Sequence, residues 1–287
     1  MSSFVYHRPA SLDEAVAMLR DGPAPARVLN GGTDLMVQLR GGKRTVGAVV
    51  SLVDIPGLDA LEPDGDGLRF GARVTLGQAL ESELVAERAP LLIEALSRMG
   101  NVNVRNRATV VGNLCNASPA GDTAGPLLAL GAAVDVVGPA GERSVPLEQW
   151  FTGPGSCSLA DDEIAVGLRI PRQAGAGRYE RLANRPTADC AVASIAMLVD
   201  RGDDGSVAAA RVTLGAVAPT PCRSGSAEAA LVGRSLDPET IAAAADAAAA
   251  DAAAIDDVRC SAWYRTEMVR NLTRRGLEAL AAEGSEG

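Results

Sequence analysis

Aromatic residues make up only 3% of this 287-residue chain, and His7 is its single histidine. A platform for stacked bases needs more rings, so a single-stranded nucleic-acid binder is disfavoured. The formal charge of −9 argues the same way, because neutralising phosphates takes a basic excess. With one histidine near the N-terminus, a Ser-His-Asp triad deeper in the chain and a zinc-protease helix are both excluded. The cysteines Cys115, Cys157, Cys190, Cys222 and Cys260 are scattered, odd in number and without a CxxC pair. They give no disulfide framework, no metal-site spacing and no cluster of thiolates for an iron–sulfur centre. The N-terminal MSSFVYHRPASLDEA lacks the basic and apolar regions of a signal peptide. No apolar run reaches the ~18 residues of a membrane span, and the alanine run near residue 250 is broken by Asp246 and Asp251. A cytoplasmic protein without a membrane span is expected.

What is present is ordinary for a globular chain: 47% hydrophobic and 22% charged residues, with a core to be built from Ala, Val, Leu and Ile. Phe4–Tyr6 reads as a strand. Ser11 and Glu14 read as a capping box opening a helix whose face is Leu12, Ala15, Val16 and Leu19 and which stops at Gly22-Pro23. Strands are expected at Ala26–Leu29, Val46–Val53, Leu68–Ala72, Ala133–Val137, Arg143–Pro146 and Glu163–Pro171. Helices are expected from Thr75, over Ala89–Met99 and at Glu148–Phe151. Arg172–Arg178 reads as a linker. After it come strands at Tyr179–Leu182, Ala191–Val199 and Ala209–Ala216, then helices at Ile241–Ala254 and Ala262–Ala282, with Arg274-Arg275 placed as cations at the favourable end. Strands followed by helices give an α+β chain, without internal repeats.

Two stretches carry chemistry. Leu29–Leu35 (LNGGTDL) joins the strand Ala26–Leu29 to a helix Leu35–Arg40 closed by Gly41-Gly42. Strand, glycine turn and helix start are the parts of an anion cradle. The loop is neither GxGxxG nor a Walker sequence, so the nicotinamide-type and P-loop readings are disfavoured. Ala108–Ala133 (ATVVGNLCNASPAGDTAGPLLALGAA) joins a turn-rich Thr109–Asn113 to a second turn at Pro119–Asp122 and then an apolar helix. Such a stretch uses its backbone for close approach to something polar. The expected ligand is a flavin dinucleotide shared between the two loops, with histidine attachment conceivable only at His7.

GGTDL, T-x-x-GN-x-x-N-A-S-P-x-x-D-T from Thr109 and EI-x(5)-IP from Glu163 occur in this order over essentially the whole chain. In this the chain resembles the FAD-binding medium subunit of the molybdenum hydroxylases, the family of xanthine dehydrogenase and aerobic carbon monoxide dehydrogenase. The resemblance implies a two-subdomain FAD-binding domain of the vanillyl-alcohol oxidase type at 1–172, divided near residue 55. A smaller α+β C-terminal domain follows at 173–287. It implies non-covalent FAD, with Leu29, Asn30, Gly31, Gly32, Thr33, Asp34 and Leu35 around the pyrophosphate. Ala108, Thr109, Gly112, Asn113, Cys115, Asn116 and Asp122 would meet the phosphates, ribityl chain and flavin. Ile164 would lie near the adenine end, and Arg181 would replace a family lysine near the flavin. The partners implied are a large molybdenum-cofactor subunit and a small [2Fe–2S] subunit in a dimer of heterotrimers, with NAD, a quinone or oxygen as acceptor.

No side chain stands out as catalytic. Asp34 is expected to cap the following helix with its carboxylate. Asp122 reads equally as a helix cap or as an acceptor from a flavin hydroxyl. Cys115 reads as a buried inert thiol and His7 as structural. Val111 stands where the family usually has glycine, so its side chain must face away from the phosphates for the site to form. Alternatives are a free-standing flavin oxidase or reductase of the same fold, or an assembly factor with a degenerate site resting on Val111. GGTDL rather than GGHS tilts the reading away from carbon monoxide as substrate.

Overall fold

A computed structural model of the chain describes residues 3–185 and 189–283. Strand β1 (Val5–His7), helix α1 (Leu12–Asp21), strand β2 (Ala26–Leu29), helix α2 (Leu35–Arg40) and strand β3 (Ala48–Ser51) form the first unit, a parallel sheet in the order β1-β3-β2. Strand β3 is buried on both faces, as expected of the apolar run Ala48–Val50, and Ser51 is buried at its end. At α1, the Glu14 N–H is donated to Ser11 Oγ. The Glu14 carboxylate reaches back to the Ala10 N–H, one residue ahead of the cap.

A second, antiparallel sheet follows: strands β4 (Leu61–Asp64) and β5 (Gly67–Gly71), then β6 (Ala133–Gly138), β7 (Gly141–Pro146) and, after a small β8–β9 hairpin (Phe151–Gly153 and Ser156–Cys157), β10 (Ile164–Ile170). Its order is β4-β5-β10-β6-β7. Six helices fill the long excursion between β5 and β6: α3 (Leu76–Glu81), α4 (Glu83–Arg88), α5 (Pro90–Arg98), α6 (Val102–Arg105), α7 (Val110–Asn116) and α8 (Ala124–Ala129). Thr75 and Gln78 close a reciprocal capping box on α3.

The segment Thr109–Asn113, expected to be turn-rich, is helical in α7. Thr109 Oγ1 caps it by accepting the Gly112 N–H at 3.0 Å. Val110, Val111 and Leu114 turn one face into the core. A Cβ on Gly112 would stand 2.6 Å from that same Oγ1, so glycine is what lets the cap close. The polar Asn101–Arg107 likewise contains one helical turn, α6, capped by Asn101.

The third sheet holds strands β11 (Ala176–Leu182), β12 (Ala193–Arg201), β13 (Val207–Gly215) and β14 (Cys222–Arg223), antiparallel throughout. Helices α9 (Gly225–Leu231), α10 (Pro238–Asp251) and α11 (Ala262–Glu283) complete it. Strand β11 takes in the last residues of the expected linker. Alternation along β12 splits the cores: Ala196 and Leu198 join the large core shared with the second sheet, while Ile195, Met197 and Val199 face α10 and α11. Helix α8 is buried at every position, and Thr213 Oγ1 donates to its Gly125 carbonyl at 3.0 Å. Arg274-Arg275 does not end α11, which runs on to Glu283; Arg275 instead pairs with Glu180 on β11.

Among the described residues no helix is long and apolar enough to cross a membrane, no cluster of metal-ligating side chains occurs, and the five cysteines are free.

Candidate functional site

A cavity of about 370 Å³ opens between the first unit and the helical excursion. That is within the ~300–1,000 Å³ usual for small-molecule sites. Three stretches far apart in sequence wall it: 26–38 around the β2–α2 loop, 108–116 at α7, and 155–165 between the β8–β9 hairpin and β10.

The first two walls are locked together. The Asn30 carboxamide donates to the Ala72 carbonyl and, at 3.1 Å, to Thr109 Oγ1. Thr109 therefore holds both its own helix and the preceding loop. Gly31 is packed against the chain just before α7, where a Cβ would fall 2.0 Å from the Arg107 carbonyl oxygen. Gly32 has φ +74°, and the loop turns there at no steric cost. Among the described residues, the N–H groups of Gly31, Gly32, Thr33 and Asp34 find no acceptor. Four adjacent donors left open on a cavity wall fit the oxygens of a diphosphate.

In the third wall the sequence points only to the EI strand at Ile164, not to the hairpin before it. The Gly155 N–H is donated to the Ala117 carbonyl at 2.9 Å, and the buried Trp150 indole donates to the Leu114 carbonyl at 3.0 Å. Both bonds fasten the β8–β9 hairpin to the end of α7. Arg27 and Asp161 then bridge the mouth at 3.0 Å, and Arg143 holds Glu163 behind them at 2.6 Å. The run Gly153-Pro154-Gly155-Ser156 signals a turn in the sequence, but only long-range pairing brings that turn to the cavity. Gln38, Arg44 and Cys157 also line the wall beyond the expected set.

Of the sixteen residues expected at the site, Asn30, Gly31, Gly32, Thr33, Asp34, Leu35, Ala108, Thr109, Gly112, Asn113, Cys115 and Asn116 line the cavity together. The other four stand elsewhere. Leu29 packs into a small core with Leu39, Val46 and Val49. Ile164 is fully buried while its neighbours Glu163 and Ala165 border the cavity, as strand alternation dictates. Asp122 and Arg181 are turned to each other at 2.9 Å, both buried. The cap reading of Asp122 is corrected: Thr123 takes the N-cap position of α8, and Asp122 instead accepts from Arg181 Nε and, at 2.7 Å, from the Tyr179 hydroxyl. Burial pushes its carboxyl above the usual range, offset in part by the Arg181 charge and these two hydrogen bonds. Burial pushes the Tyr179 hydroxyl up as well, reinforced by the neighbouring Asp122 charge.

Asp34 also departs from expectation. It precedes α2 in helical conformation and makes no side-chain cap bond. Burial pushes its carboxyl upward, and no cation among the described residues pairs with it. Cys115, partly buried in the wall, has its thiol pushed well up by desolvation, which disfavours the reactive thiolate, while Cys157 donates weakly to its carbonyl at 3.9 Å. Val111 touches the cavity but is only 2% exposed and packs in the large core.

Fold and cavity together define a class of α+β protein with a small-molecule cavity walled by a glycine loop, a capped helix and a hairpin. Comparison with known proteins narrows this. A family profile described as the FAD binding domain in molybdopterin dehydrogenase matches residues 2–173, and one described as the CO dehydrogenase flavoprotein C-terminal domain matches residues 178–280. The xanthine dehydrogenase FAD-binding subunit of Escherichia coli O157:H7 is 32% identical, over 98% of this chain and 97% of that one. The nicotine 6-hydroxylase medium subunit of Paenarthrobacter nicotinovorans is 32% identical, over 94% of each. A solved carbon monoxide dehydrogenase from Hydrogenophaga pseudoflava superimposes with a TM-score of 0.94 at 34% identity, over 98% of each chain. The chain belongs to the family of FAD-binding medium subunits of the molybdenum hydroxylases, whose relatives are dehydrogenase subunits.

Proposed function

We propose that this chain holds FAD non-covalently in the cavity and serves as the electron-transfer subunit of a heterotrimeric, cytoplasmic molybdenum hydroxylase. The observation that carries this reading is that Gly31–Asp34, whose N–H groups find no acceptor among the described residues, line the same cavity as the capped start of α7. Residues 30–35 would hold the pyrophosphate, and Ala108, Thr109, Gly112, Asn113, Cys115 and Asn116 the rest of the dinucleotide. Residues 1–172 and 173–287 would act as separate domains, the second bracing the first. The flavin would supply the chemistry, accepting electrons and releasing them to NAD, a quinone or oxygen. The protein's part is to orient the ring and shield it. Electrons would come from [2Fe–2S] clusters of a small partner, substrate being hydroxylated at a molybdenum cofactor in a large one, within a dimer of heterotrimers. Among the described residues of the cavity, Asp161 and Glu163 are held by arginines, which favours this reading over a free-standing oxidase with its own acid–base pair.

The test is to purify the chain with its partners, record the visible spectrum and denature in acid. One FAD per chain, released into the supernatant, is expected. A colourless complex that takes up no FAD overturns the reading.

The open carboxyl of Asp34 adds a pH dependence. A diphosphate bound beside it raises its pKa further, so binding takes up a proton. The sign follows: affinity is greatest below the free-state pKa of Asp34 and falls as pH rises through the free-state and then the bound-state value. Asp34→Asn is expected to flatten this profile and to tighten FAD at neutral pH by about fivefold, the effect of roughly 1 kcal/mol of charge repulsion in water. Fluorescence titrations of the FAD-stripped protein at several pH values check this, and a flat wild-type profile would exclude proton uptake.

A further inference from the structure

Asn113 is the one carboxamide in the cavity wall whose orientation is set by a fully buried hydroxyl. Thr123 is 0% exposed, and its Oγ1 donates to Asn113 Oδ1 at 2.7 Å. A carboxamide whose oxygen is engaged in this way has its NH₂ group left over. Asn113 Nδ2 meets no acceptor among the described residues, and Asn113 borders the cavity. Gly121 lies close to the same group: a Cβ there would stand 3.2 Å from Asn113 Oδ1, so the carboxamide would have to give by a few tenths of an ångström.

Thr123 is itself held. It follows Asp122, which is clamped by Arg181 Nε at 2.9 Å and the Tyr179 hydroxyl at 2.7 Å, both from strand β11. Behind it, the Gly125 carbonyl accepts from Thr213 Oγ1 on β13 at 3.0 Å. The backbone on either side of Thr123 is thus anchored to the C-terminal sheet, and the hydroxyl is anchored to the cavity.

We infer that Thr123 is a positioning residue for the bound dinucleotide. Its hydroxyl holds Asn113 with Oδ1 turned away and Nδ2 presented as a donor to an acceptor atom of FAD, and the β11 clamp on Asp122 sets where that hydroxyl stands. This rests on the proposed FAD site. It extends that site to residues that do not touch the ligand, and it gives the C-terminal sheet a part in cofactor binding. A hydroxyl is required because it alone, at that size, can donate to Oδ1. With valine in its place, Oδ1 is left without a partner and the carboxamide has no reason to keep its NH₂ end toward the cavity.

The experiment uses the full chain, stripped of FAD and retitrated, followed by flavin fluorescence, with melting temperature recorded for each stripped variant. Thr123→Val is expected to weaken FAD binding about tenfold, Thr123→Ser to restore it, and Asn113→Asp, which keeps the acceptor but loses the donor, to weaken it comparably. In the double variant the two losses are expected to be less than additive, because both act on one donor. Wild-type affinity in Thr123→Val, even with a lowered melting temperature, overturns the inference and leaves Thr123 a packing residue. Failure of serine to rescue, or losses that simply add, overturns it equally. If the wild-type chain itself takes up no FAD, the proposed function falls, and this inference with it.

Discussion

Gly31→Ala is expected to abolish FAD binding and to destabilise the chain by about 3 kcal/mol. The new Cβ would lie 2.0 Å from the Arg107 carbonyl oxygen and 2.8 Å from its carbon. Both are backbone atoms, so no rotamer change relieves the overlap. Either the β2–α2 loop or the approach to α7 must move, and the Asn30–Thr109 hydrogen bond joins those two segments. The N–H groups of Gly31–Asp34 then no longer converge with α7. The same change at Gly32 serves as a graded control. There the nearest atoms belong to the Leu29 and Met36 side chains at 3.0 and 3.4 Å, and the cost comes from φ +74°. About 1 kcal/mol and partial flavin content are expected for Gly32→Ala. Flavin per chain and the urea midpoint measure both variants. A Gly31→Ala protein with full flavin content would show that the two loops do not need this contact.

Asp122→Ala is expected to destabilise by about 3–5 kcal/mol, because it leaves Arg181 charged and buried without its partner. Arg181 is 3% exposed and Asp122 8% by side chain, so water cannot replace what is lost. The Tyr179 hydroxyl loses its acceptor at the same time. Arg181→Ala is expected to be nearly as costly, and the double variant to cost less than the sum of the two singles. Tyr179→Phe, which removes one hydrogen bond and no charge, is expected at about 1 kcal/mol. Urea unfolding of the four proteins decides this. A strictly additive double variant would mean that the pair is not coupled. Since this clamp sits behind Thr123, flavin affinity is expected to fall along with stability in Asp122→Ala.

The parts of the molecule that were readable in the sequence are those fixed by local chemistry. Strand β2 and helix α2 fall at the residues anticipated because β-branched and aliphatic residues, a glycine pair and a closing Gly41-Gly42 all act within a few positions. The Ser11 and Thr75 caps are legible for the same reason. Helix α7 is not, because Gly112 and the asparagines around it carry weak helical propensity. It forms because Thr109 caps it and because Val110, Val111 and Leu114 are covered by the rest of the fold. The pairing of Asp122 is hidden in the sequence for a kindred reason. Its partners lie 57 and 59 residues away on β11, and nothing near it in the chain announces them. The third wall, residues 155–165, is likewise a product of long-range pairing with α7 and β2. Twelve residues of the cavity could be named in advance because their motifs are contiguous. The hairpin that closes it could not.

The distances along the chain between the cavity walls have a consequence for how the molecule is made. The first parallel sheet uses only residues up to Ser51 and can close early. The Asn30–Thr109 bond waits for another 79 residues, and the Arg27–Asp161 bridge for 134. Strand β10, which sits at the centre of the second sheet, comes later still than every helix of the excursion. As a ribosome extends the chain, the residues Gly31–Asp34 therefore emerge well before the last wall of the cavity, at 155–165. A cavity walled by residues so far apart in the chain is complete only once the β8–β9 hairpin has docked on α7.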